Sequence, residues 1–130
     1  MECTTMLELA PGWSTDVTRG PDWLFVRLRV SSPDWLDASG LAQSVWAILE
    51  QQFARRLVLE LDELPHLSSS LLGELVRLSK RVRAKGGLIR LCGLSEENLE
   101  MLQLMRLDGC FPHFSSRADA VKGFRPSQPR

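Results

Sequence analysis

The chain has 130 residues, enough for one domain with a real core and too few for two ordinary ones. Lysine plus arginine and aspartate plus glutamate both number 16, so no overall charge draws the protein to nucleic acid or to an anionic membrane, and a charged partner has to be met by a local patch. No apolar run approaches the ~20 residues a membrane span needs, and Met1 to Pro11 has Glu2 and Glu8 in place of the basic start and apolar core of a secretory signal.

Taken in chain order, Trp13 to Arg19 and Trp23 to Val30 read as two strands joined by Gly20-Pro21-Asp22. In the second, Leu24, Val26, Leu28 and Val30 alternate with Phe25, Arg27 and Arg29, which predicts a hairpin with one buried face. Ser31 to Ser39 carries turn and cap chemistry, and from Gly40 the residues Leu41, Val45, Ile48 and Leu49 recur at helical spacing to about Phe53. Leu57 to Leu61 is a strand. Leu71, Leu75, Leu78 and Val82 form the buried stripe of a second helix, which Gly86-Gly87 ends. Leu88 to Cys92 returns as a strand, Ser95 with Glu96 and Glu97 starts a helix through Leu99, Leu102 and Met105, and Ser116 to Val121 makes a last short one.

Strand and helix alternate from residue 54 onward, which predicts an α/β domain with right-handed crossovers and a mixed, mostly parallel sheet, the opening hairpin adding an antiparallel edge. The domain spans 1–124, residues 125–130 form a frayed tail, and the first ten or so residues count as expendable. Leu59, Leu61, Leu75, Leu78, Val82, Ile89 and Leu91 are expected to share one core. Trp13, Trp23, Trp35 and Trp46 lie in the first 46 residues, as core rings or as anchors for a partner. The odd cysteines Cys3, Cys92 and Cys110 lack Cys-x-x-Cys spacing and fit reduced thiols in a cytoplasm.

Ser68, Ser69 and Ser70 fall on the first turn of the second helix. One hydroxyl is needed as the N-cap, a role in which serine is worth ~1 kcal/mol over alanine. The other two stand where unpaired N–H groups and the positive end of the helix dipole favour an anion, so the cluster reads as a phosphorylation switch. A hydrolytic serine with His66 and Asp62 or Asp108 is disfavoured, because Ser70 is followed by two leucines rather than set in Gly-x-Ser-x-Gly, and His66 and His113 are isolated. No pair of residues has metal-ligand spacing, and Gly86-Gly87 follows a helix, the reverse of a phosphate-cradling loop. Neither a cofactor nor an enzymatic activity is expected. Arg77, Lys80, Arg81, Arg83 and Lys85 make a basic face that is either a solvated surface or a patch for an acidic partner.

Ser68-Ser69-Ser70-Leu71-Leu72-Gly73, Ala84-Lys85-Gly86-Gly87, Leu102-Gln103-Leu104-Met105-Arg106-Leu107 and Phe111-Pro112 together resemble the blocks of the STAS domain family, the anti-sigma factor antagonists. Ser68 stands where that family has Asp, and Leu71 and Arg106 stand where it has Gly. The resemblance implies a STAS-like fold with four to five strands and about four helices packed mainly on one face. It further implies a bacterial, cytoplasmic, non-enzymatic regulator of transcription that binds an anti-sigma factor with serine kinase activity, is phosphorylated on Ser70, and is restored by a serine phosphatase. Ser68, Ser69, Leu71, Arg77 and Arg81 are then the expected partner contacts. The alternative is an unphosphorylated scaffold, or a subunit of a larger signalling or lipid-transport complex.

Overall fold

The computed structural model describes residues 4–10, 12–30, 38–64, 67–107 and 109–122, with only the backbone of 4–10 and of 122. Six strands form one sheet whose spatial order is the chain order: β1 Thr4–Ala10, β2 Trp13–Arg19, β3 Leu24–Val30, β4 Arg56–Glu60, β5 Leu88–Cys92 and β6 His113–Phe114. The first three pair antiparallel, and β3 to β6 pair in parallel. The helices are α1 Leu41–Gln51, α2 Ser69–Ala84, α3 Glu96–Leu104 and α4 Arg117–Lys122. The expected α/β architecture is therefore present, with more strands than anticipated. β1 lies in the segment counted as expendable, and β6 has only two residues, too few for a period-2 signal. Trp35, His66, Asp108, Cys3 and the tail lie outside the described residues.

The main core lies between one face of the sheet and α1, α2 and α3. It holds every one of the seven expected core residues, together with Trp13, Leu24, Val26, Leu28 and Leu102. A smaller cluster of Trp23, Phe25, Val58, Cys92 and Ala120 lies on the other face, under α4. This corrects the one-faced reading of the hairpin, since Phe25 is as buried as its apolar neighbours. Its cover comes from a helix more than 90 residues later in the sequence.

Three helices end alike. After each, one N–H returns to the carbonyl three residues back and the next N–H to the carbonyl five back: Phe53 to Glu50 with Ala54 to Leu49, Gly86 to Arg83 with Gly87 to Val82, and Arg106 to Gln103 with Leu107 to Leu102. This Schellman arrangement needs a left-handed residue at its centre, and φ is 54° at Phe53, 76° at Gly86 and 58° at Arg106. Gly87 is fixed for another reason: a Cβ there would stand 2.1 Å from the Arg55 carbonyl oxygen, the acceptor that registers Leu88 at the start of β5.

Arg106 thus explains how the chain departs from the Gly of the family-like block and still stops α3. The exposed arginine adopts the backbone conformation glycine would take, at a cost in strain. Arg106→Gly should stabilise the domain by about 0.5 to 1 kcal/mol, the relief of strain outweighing the greater freedom of glycine in the unfolded chain. Urea unfolding measures it; a midpoint that falls would show that the arginine side chain contributes more than its backbone costs.

Candidate functional site

β4 delivers the chain to the start of α2. Leu61, Leu64 and Leu67 are buried and anchor the connection from below, and the Leu61 N–H donates to the Cys92 carbonyl at the end of β5. Ser68 is the N-cap, with extended backbone and its Oγ accepting from the Leu71 N–H at 3.1 Å. No acidic residue occupies the first turn of α2, so its dipole is left open to an added negative charge.

The three serines have three different surroundings. Ser68 Oγ is committed to the cap. Ser70 is half-buried, and its Oγ accepts from the Ala38 N–H at 2.8 Å, ahead of α1. Ser69 is exposed, and no described residue bonds its hydroxyl.

The start of α1 depends on α2. Gly40 gives it no side-chain cap and its first turn holds no acidic residue, and the Ala42 N–H is met by Oε1 of Glu74 at 2.9 Å. Glu74 is buried, and its second oxygen accepts from Arg77 at 3.0 Å. Ser70 and Glu74, four residues apart on one face of α2, therefore hold the segment from Ala38 to Ala42 beside the serine cluster.

Of the expected contact residues, Leu71 is displaced. It has no exposed surface and belongs to the core, which its own place at the head of the buried stripe already implied, so its side chain offers nothing to a partner. Arg77 is exposed. Arg81 donates to Gln43 Oε1 at 2.6 Å and lies 4.8 Å over the ring of Trp46, tying α2 to α1 while keeping its charge at the surface. Ser68, Ser69 and Ser70 share one end of α2, and the two arginines continue along it.

A charged cluster on the opposite face gave no signal in the sequence. Glu60, at the end of β4, is buried and accepts from Arg117 at 2.7 and 3.2 Å and from Arg27 at 3.1 Å. Arg27 also lies 3.2 Å from Asp62, and Arg117 stacks 4.5 Å over Phe25. Arg90 is held between Trp23 and Phe114 and donates to the Ala120 carbonyl at 2.5 Å. These arginines fasten α4 to the sheet.

Cys92 lies beneath this clamp, and burial first, then the Glu60 and Asp62 charges, push its thiol up to about 12. A thiol whose folded value is raised keeps its proton in the native state while the unfolded chain loses it. Its stabilising contribution is therefore complete below about pH 9 and is lost as pH rises from there towards 12. Cys92→Ala should show a shallower alkaline loss of urea midpoint between pH 8 and 11 than the parent, and native alkylation at pH 8 should spare Cys92. Equal slopes, or rapid labelling of Cys92, would contradict its burial.

Among the described residues, none near the serines completes a catalytic site. Asp62 faces Arg27, His113 is exposed on β6, and no group of three or more His, Cys, Asp or Glu among the described residues can hold a metal. No helix among them is long and apolar enough to cross a membrane.

The model of the STAS domain family matches residues 19–120, from the end of β2 through most of α4. The chain belongs to the STAS domain family. No curated protein matches it. Solved structures share the STAS fold at low identity. An anti-sigma factor antagonist from Mycobacterium paratuberculosis is 20% identical with a TM-score of 0.71, over 89% of this chain and 97% of that one. Moorella thermoacetica RsbS is 16% identical with a TM-score of 0.67, over 82% and 90%. The Bacillus cell fate determinant SpoIIAA in its phosphorylated form is 12% identical with a TM-score of 0.59, over 95% and 100%. In this STAS domain the serine-bearing turn stands at the exposed start of α2, beyond the end of the parallel strand β4.

Proposed function

We propose that this STAS domain is a cytoplasmic anti-sigma factor antagonist, a non-enzymatic protein that binds an anti-sigma factor with serine kinase activity and is released from it by phosphorylation at the start of α2. The observation that carries this reading is an exposed hydroxyl, that of Ser69, on the first turn of a helix whose cap is already supplied by its neighbour. SpoIIAA, which shares the fold, has been solved both phosphorylated and unphosphorylated.

Exposure ranks the acceptors. Ser69 can be modified without breaking a bond seen in the fold, whereas modifying Ser70 disturbs the oxygen that receives the Ala38 N–H, so Ser69 comes before the Ser70 that the family blocks imply. A phosphoryl group adds about −1.5 to −2 charges. In the free domain the open dipole of α2 favours them; in a close complex they are desolvated against a surface shaped for a neutral hydroxyl. The partner surface comprises Ser69, the segment held at Ala38 to Ala42, and the exposed Arg77 and Arg81. A separate serine phosphatase resets the switch.

The test begins with recovery of the partner by co-purification. Incubation with that partner and ATP should add one phosphoryl mass, mapped by peptide mass spectrometry to Ser69. Ser69→Asp should keep the fold and weaken the complex by about tenfold or more, a loss of at least ~1.4 kcal/mol, while Ser69→Ala should bind and refuse phosphate. Phosphate mapped to Ser70 would restore the assignment implied by the family blocks. Absence of modification on all three serines would leave the scaffold reading in its place.

A further inference from the structure

A cavity of about 330 Å³ opens at the end of the sheet opposite the serines, lined among others by Arg19, Asp22, Phe53, Arg55, Arg56 and Gly86. It lies past the far end of α2, whose 16 residues span about 24 Å, so it is separate from the switch. Two independent features mark it as a binding site.

The first is charge. Three guanidiniums line the cavity against the single carboxylate of Asp22, which lies 3.9 Å from Arg56. The end of α1 brings partial negative charge, but Arg19 answers it by donating to the Gln52 carbonyl. Arg55 is exposed and its guanidinium makes no hydrogen bond or ion pair with a described residue, so positive charge remains in excess. The planar fork of arginine matches phosphate oxygens.

The second is Phe53. The residue is 91% exposed at the cavity wall and is held at φ 54°. The equivalent turn after α2 uses Gly86. Phenylalanine at this point costs the fold twice, in backbone strain and in apolar surface left in water, and its exposure shows that the described residues cover little of it. Residues held in sparsely populated conformations gather at ligand sites, and the volume falls in the range of small-molecule pockets.

We propose that this cavity binds a small aromatic phosphate monoester, with its phosphate on Arg55, Arg56 and Arg19 and its ring against Phe53. The site is independent of the switch reading and stands or falls without it.

The full chain is titrated with phenyl phosphate, phenol and inorganic phosphate, following the amide signals of Gly20, Ala54 and Gly86 by NMR. Phenyl phosphate should give saturable shifts at these positions, with a Kd at least about tenfold below that of either fragment. Arg55→Ala, a surface change that should leave the fold intact, should raise that Kd about fivefold or more. Phe53→Gly should raise the urea midpoint, because glycine accepts the turn, and should also erase the advantage of phenyl phosphate over inorganic phosphate. Shifts that do not saturate, a Kd unmoved by Arg55→Ala, or a Phe53→Gly variant that gains stability and keeps that advantage would each overturn the proposal, the last by reducing Phe53 to a poor helix terminator.

Discussion

Glu60→Ala should destabilise the domain by about 3 kcal/mol, near the lower end of the range for breaking a buried ion pair. The carboxylate side chain is 3% exposed and holds Arg117 through both oxygens, with Arg27 on the second. Removing it leaves two guanidiniums facing each other across a buried space. Each is about 30% exposed and recovers part of its hydration, and Arg27 keeps Asp62, which is why the upper end of the range is not expected. Denaturant unfolding gives the magnitude, and Arg117→Ala should couple strongly to it in a double-mutant cycle. A loss under about 1 kcal/mol with no coupling would mean that this network is ornamental.

Leu75→Ala should cost about 2 to 5 kcal/mol by opening a cavity in the main core. Leu75 is 1% exposed at the middle of α2, where the helix faces both the sheet and α1. The helix is held at its two ends by the Ser68 cap and the Gly86 turn and has little freedom to collapse into the space. The same substitution at the exposed Leu104 should fall within about 0.5 kcal/mol. If the two variants unfold at the same midpoint, the buried face of the helices has been assigned to the wrong side.

What could be read from the sequence follows from how local each cause is. The stripe Leu71, Leu75, Leu78, Val82 is buried at every position, and Ser68 and Ser95 cap the helices they precede, because periodicity and capping are decided within a few residues. Leu71 lies within the serine block but also heads the apolar stripe, and burial decides its place. Met105, grouped with Leu99 and Leu102, is the C-cap of α3 and half exposed. The pairing of β1, the cover over Phe25, and the convergence of Arg27 and Arg117 on Glu60 all join residues brought together by the fold alone; Arg117 and Glu60 are 57 positions apart. At the site, the sequence placed three hydroxyls on one turn. Only the fold separates them, through the Ala38 N–H that engages Ser70 and leaves Ser69 in the open.

The sheet order, in which every strand lies beside its sequence neighbour, bears on how the chain reaches this state. No strand has to be inserted between two already paired, so the sheet can grow outward from the β2–β3 hairpin, adding one strand at a time at a free edge. Each parallel addition closes a loop no longer than one helix and its connections, and the entropy of closure rises only slowly with such lengths. During synthesis, β4 can dock on an existing hairpin edge before α2 has emerged in full, and α4, which covers the second face, follows the other described elements. Mutations in β3 or β4 should therefore slow refolding, whereas those in α4 should mainly hasten unfolding.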